Sequence, residues 1–170
     1  MTGGHDRRLD VCDTVYAYAT GIDNRDWAAY RSAFDDHVDI DFSSWNGRPP
    51  AGRLAADDWV AGLTPLFGGL DASQHSLTNP RVELESDDRA VCTVYMQAEH
   101  VLRRGDEDVF FTIGGFYRDR LRRGSARWLL TGVTLVVWWR RGDFSIMAEA
   151  TERGRASLIP PAAPSPERPD

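Results

Sequence analysis

The chain has 170 residues, six tryptophans and a formal net charge of −6. That length supports one domain with a sizeable core and would cramp two. The acidic balance excludes a general nucleic-acid surface. All 20 basic residues are arginine, which also excludes Schiff-base lysine chemistry and a Walker-type phosphate lysine.

The N-terminal MTGGHDRRLD has no apolar signal core, so secretion is not expected and the expected location is cytoplasmic. Residues 1–6 read as a flexible end. A first helix is predicted from about Arg7 to Ile22, because Leu9, Cys12, Val15, Tyr16, Ala19 and Ile22 recur at spacings of three and four. Asn24 fits its C-terminal cap in the left-handed conformation. Asp26 fits the N-cap of a second helix, Trp27 to Phe34. Asp23 has no such task. A carboxylate at a helix C-terminus faces the negative end of the dipole, and by itself Asp23 reads as a solvated loop acid.

His37 to Phe42 alternates as a short strand, and Asn46-Gly-Arg-Pro-Pro reads as a loop. A third helix spans Ala55 to Phe67 with Trp59, Leu63 and Leu66 on one face, and Gly62 and Pro65 predict a kink or break. Four strands follow: Gln74 to Leu84, Ala90 to Arg103, Val109 to Leu121 and Trp128 to Trp139. On the second of these, Cys92, Val94, Met96, Ala98 and His100 share the more apolar face, and Tyr95, Gln97 and Glu99 the other. On the first, His75, Leu77 and Asn79 share a face. A last helix is expected within Phe144 to Arg155, and residues 158–170 form a Pro-rich tail in which disorder is expected. Helices followed by a meander of long strands define an α+β domain over residues 7–157, a curved and mostly antiparallel sheet around helices. No apolar run is long enough to span a membrane. Cys12 and Cys92 lack CxxC spacing and read as core thiols in a reducing compartment.

Four histidines carry the candidate proton chemistry. His5 lies in the loose end and His37 among acids. Taken singly, His75 and His100 read as buried or edge histidines with satisfied hydrogen bonds. Taken with Asp23 they form a constellation: an Asp that accepts from one imidazole nitrogen fixes the tautomer and aims the other as a base. No His or Cys pair has metal-ligand spacing, so no metal or other cofactor is expected.

The segments YAYATGIDNRDW, SQHSL and EHVL resemble the SnoaL-like branch of the NTF2-like superfamily, which includes scytalone dehydratase and bile-acid 7α-dehydratase. The resemblance covers about Arg7 to Phe144. It implies a cone-shaped α+β roll that forms a homodimer or homotrimer. It places Asp23 and His75 on that branch's catalytic Asp and His, His100 on a second pocket histidine, and Tyr18 on the Tyr of a Tyr–Asp–His triad. The tyrosines that polarise the substrate carbonyl in scytalone dehydratase fall on Ile22 and Phe42, which cannot donate. Tyr18, Tyr95, Asn79 or Thr112 are the replacement donors, and Met96 and Trp138 join Ile22 and Phe42 as substrate contacts. Of the remaining aromatics, Trp45, Trp59, Phe67, Phe110, Phe116 and Trp139 read as core or subunit interface, with some lining the cone's mouth.

The implied function is a dehydratase that removes a proton next to a carbonyl and eliminates water from an apolar, hydroxylated, polyketide- or steroid-like substrate. A cyclase, isomerase or epoxide hydrolase on the same dyad stays open, as does a non-catalytic binding or assembly module.

Overall fold

Helix α1 (Arg7–Asp23) starts where the Asp6 side chain accepts from the backbone N–H of Arg8, and its apolar positions Val11, Val15, Ala19 and Ile22 are buried. The computed structural model describes residues 6–46 and 51–158. Asn24 caps α1 in the right-handed region, and the left-handed conformation expected of it falls on Arg25 instead (φ 55°). The reason is a clamp. The Arg25 guanidinium donates to the carbonyls of Asp23, Phe67 and Leu70, an arrangement that offsets the backbone strain.

Asp26 caps α2 (Trp27–Ser32) through the Ala29 N–H, as predicted. Strand β1 (Phe34–Asp41) begins three residues earlier than expected, with Phe34, Val38 and Ile40 buried. A single turn, α3 (Ser43–Asn46), and a short strand, β2 (Gly52–Ala55), flank the expected Asn-Gly-Arg-Pro-Pro loop, of which residues 47–50 lie outside the described residues. Helix α4 (Ala56–Gly69) runs through Pro65 without the predicted break.

Strands β3 (Ala72–Leu84), β4 (Arg89–Arg104), β5 (Glu107–Arg123) and β6 (Trp128–Gly142) form the expected antiparallel meander. Strand β1 joins β6 in parallel, giving the order β2-β1-β6-β5-β4-β3. The sheet curls around α1. Cys92, Val94, Met96, Ala98 and His100 all point inward on β4, the parity that alternation predicts. Arg120 and Arg122 are paired with Asp39 and Asp35. Among the described residues, no helix is long and apolar enough to cross a membrane.

Helix α5 (Ile146–Leu158) lies across α4 and roofs the wide end of the cone. Arg104 holds it through Asp143 and Glu149, and Arg153 through Asp71. The helices cross at backbone contact. A Cβ on Gly154 would come 1.8 Å from the Pro65 carbonyl oxygen, and one on Gly69 equally close to that of Ala150. Gly154→Ala is therefore expected to destabilise the protein by about 1–3 kcal/mol through overpacking. Gly62→Ala, on the same α4 but with open space around the added carbon, should stabilise it by about 0.5–1 kcal/mol. Urea unfolding midpoints for the two variants check both signs.

Candidate active site

Asp23 is the last residue of α1, and its carboxylate reaches across to β3. Three donors meet it there. The Nδ1–H of His75 lies 2.7 Å from Oδ1, the His75 backbone N–H 2.6 Å from Oδ2, and the Ser73 hydroxyl 2.9 Å from Oδ1. Burial pushes the Asp23 carboxyl up, but the hydrogen bonds and charge of His75, with help from Ser73, outweigh it and hold the group below the ordinary Asp value. Because a carboxylate only accepts, His75 carries its hydrogen on Nδ1 and keeps Nε2 for other partners.

His75 opens onto a cavity of about 360 Å³ lined by α1, Phe42 just after β1, α3, α4, the inner sheet face and α5. Its walls are mainly aromatic and aliphatic, with Phe42, Trp45, Trp59, Phe67 and Phe144 prominent, and its roof includes Met147, Ala148 and Thr151. His100 also lines it, 3% exposed, with its ring 6.2 Å from that of His75. The Nδ1 of His100 lies 3.0 Å from the Phe111 carbonyl oxygen. A carbonyl can only accept, so this imidazole also has its hydrogen on Nδ1 and a bare Nε2. Burial and the neighbouring His75 lower the His100 pKa to about 4, against the opposing carbonyl bond, so the ring is neutral at pH 7.

At the floor of the cavity, Tyr18 from α1 and Tyr117 from β5 stand edge to face at 5.6 Å. The Tyr30 hydroxyl beside them accepts from the Trp59 Nε1–H at 3.1 Å. Burial drives all three phenols well above their ordinary pKa, so they keep their protons and remain donors. Near these rings lies Asp119, 2% exposed, with Oδ1 lacking any hydrogen-bond partner. Burial raises its pKa well above the usual carboxylate range.

Of the residues expected at the site, His75, His100, Tyr18, Ile22 and Phe42 line the cavity, and Asp23 stands behind His75. Five do not. Met96 points inward but is packed in the core and does not line the cavity. Asn79 takes a positive φ (54°) at the β3–β4 bulge and is exposed, out of register with His75 and Leu77. Thr112 pairs across the strands with Glu99 on the outer face and donates to its carboxylate at 3.3 Å. On that same outer face the Trp138 ring meets Tyr95 edge-on at 5.3 Å and Phe116 at a tilt at 5.4 Å. A register shift inserts Trp138 between the pairs Gly115–Val137 and Gly114–Trp139, so both tryptophans turn outward rather than facing opposite ways. Trp45, Trp59 and Phe67 line the cavity, whereas Phe110, Phe116 and Trp139 do not. Tyr117 was not anticipated. Its parity with Ile113 on β5 was the available signal, since both face the cavity. Among the described residues, no group of three or more His, Cys, Asp or Glu is placed to hold a metal ion.

Helices wrapped by a curved six-stranded sheet define the class, the NTF2-like fold, and the part-buried Asp23–His75 contact lies at its apolar cavity. Residues 5–134 match the SnoaL-like domain, and the chain belongs to that family. The protein Kfla4162 from Kribbella flavida is similar in structure at 26% identity and a TM-score of 0.75, over 86% of this chain and 97% of that one. A candidate scytalone dehydratase from Novosphingobium aromaticivorans shares 13% identity (TM-score 0.69, 79% and 86% covered). A type 2 hexachlorocyclohexane dehydrochlorinase, LinA, shares 16% (TM-score 0.66, 80% and 88% covered). No curated protein matches the sequence.

The burial of Asp119 yields a pH-dependent expectation. A carboxyl whose folded pKa is raised contributes its stability fully below the unfolded value of about 3.9, and loses that contribution as the pH climbs toward the folded value. Asp119→Asn removes the dependence. The melting temperature of the variant, relative to the unsubstituted protein, should therefore rise between pH 4 and pH 8. A gain of about 1 kcal/mol corresponds to about 2–4 °C. A difference that stays constant across this range in scanning calorimetry would show that Asp119 is ionised in the fold.

Proposed function

We propose that the protein is a cofactor-independent lyase of the dehydratase type, acting on a flat, apolar substrate with a carbonyl and a β-hydroxyl. The observation that carries this reading is the 2.7 Å Asp23–His75 contact, with the other imidazole nitrogen left for an open apolar cavity. Two of the structural neighbours, the candidate scytalone dehydratase and the dehydrochlorinase, are named for eliminations, while another is named a candidate aromatic ring hydroxylase. An assembly module would instead fill its cone with its own side chains, and the space beside His75 is open.

In the proposed reaction the Nε2 of His75 takes the proton α to the carbonyl, and the C–H electron pair moves toward the carbonyl oxygen. Asp23 stabilises the imidazolium that forms. The Tyr18–Tyr117 pair, protonated and at the cavity floor, donates to the developing enolate oxygen in place of the donors that Ile22 and Phe42 cannot supply. The enolate then collapses, the C–O bond breaks, and the Nε2–H of His75 returns its proton to the departing oxygen as water. His75 is thereby restored, and proton and electron counts balance.

His100 is unsuited to protonating the leaving group, since its only hydrogen is committed to the Phe111 carbonyl. Bicyclic β-hydroxy ketones, followed by the growth of conjugated-enone absorbance, are the substrates to test. His75→Ala and Asp23→Asn should each lower turnover by about 10²–10⁴-fold, and Tyr117→Phe by about 10²–10³-fold, without unfolding the protein. Undiminished turnover in a folded His75→Ala variant would sink the mechanism.

A further inference from the structure

The dyad accounts for one of the two imidazoles in the cavity. His100 is left with a bare Nε2 that no donor among the described residues reaches, although the ring is 3% exposed and lines the cavity. Its surroundings offer no remedy. The rings of Phe67, Phe111 and Trp45 lie 5.8, 6.2 and 6.5 Å from it, and His75, its ring 6.2 Å away, makes no hydrogen bond to it. This nitrogen faces the open cavity, where water can donate to it, so a ligand that displaces the water must supply a hydrogen of its own or leave the acceptor unpaired.

We propose that His100 is a specificity residue that accepts a hydrogen bond from a substrate O–H or N–H, and that this group stays on the substrate through the reaction. The second half of the statement rests on the reading of His75 as the proton-moving base. A departing hydroxyl that donated to His100 would gain electron density on the oxygen that has to leave, and would receive no proton. The leaving oxygen therefore belongs beside His75, and His100 reads a second group. The ligand so defined is a flat apolar ring system carrying a phenol-like hydroxyl, or an N–H in its place. A halogen there has no hydrogen to give. His100 thus biases this cavity toward hydroxylated substrates and against halogenated ones of the same shape.

The test uses the full chain and two non-reacting probes of one shape, 2-naphthol and 2-fluoronaphthalene, with dissociation constants from NMR titration. The unsubstituted protein should prefer the naphthol by about ten- to a hundred-fold. His100→Phe should remove that preference while still binding 2-fluoronaphthalene, which reports an intact cavity. His75→Ala should keep it. Equal binding of the two probes by the unsubstituted protein overturns the proposal, as does a preference that His75→Ala abolishes and His100→Phe preserves. Nitrogen-15 spectra of the histidine rings supply a reading that needs no variant. At pH 7 the hydrogen of His100 should sit on Nδ1, with the Nε2 signal moving on addition of 2-naphthol; a hydrogen on Nε2 would overturn the proposal equally. Because neither probe reacts, the preference can hold where no elimination is found, and elimination can be found where the preference is absent.

Discussion

A carboxylate at the last residue of a helix faces the wrong end of the dipole, a misfit of about 0.3–1 kcal/mol near a surface. Asp23 occupies that position because β3 brings three donors to it: a hydroxyl, a backbone amide and an imidazole. This contact is also the stitch between α1 and the sheet beside the cavity. It fixes the height of the helix in the cone, and with it the places of Tyr18 at the floor and Ile22 in the wall. The Arg25 clamp works from the other side, joining the end of α1 to carbonyls at the end of α4. An electrostatic misfit at one helix end is thus held by two neighbouring elements, which sets the geometry of the dyad.

The two histidines show how one side chain takes different roles through a single partner. Both carry their hydrogen on Nδ1 and offer Nε2 to the same cavity. A carboxylate behind His75 can stabilise a positive imidazolium; a neutral carbonyl behind His100 does much less. Burial then depresses His100 further, to about 4. Proximity to the cavity therefore does not distinguish the two rings. The group on the far nitrogen does.

Much of this arrangement was legible in the sequence. Asp23 stood out because the neighbouring Asp26 already had a capping task, and the His75 and His100 positions followed from the resemblance and from strand alternation. Alternation also assigned the inner face of β4 correctly, because β4 and β5 pair without a break. It failed where the register shifts. At Asn79 a left-handed residue takes the side chain out of phase, and at Trp138 an inserted residue turns two tryptophans the same way. Neither shift leaves a local mark that composition reveals. Thr112 was carried over from the resemblance alone and faces the outer side of the sheet. Tyr117 was missed because its role depends on closure of the cone, which brings β5 beside the end of α1. The Phe111 carbonyl that sets the tautomer of His100 is a backbone group, and no residue type announces it.

The roof has a consequence of another kind. The groups proposed to handle the proton come from α1, β3 and β5, while Leu63, Leu66, Met147, Ala148 and Thr151, which also shape the cavity, come from α4 and α5. The roof helices meet each other at backbone contact through Gly69 and Gly154, so their crossing depends on two glycines and not on the side chains that look down into the cavity. Those side chains can be exchanged without shifting the crossing or the dyad. The architecture therefore separates what can diverge from what must be kept, and a lineage built on it can explore new molecules to act upon while inheriting the same chemistry.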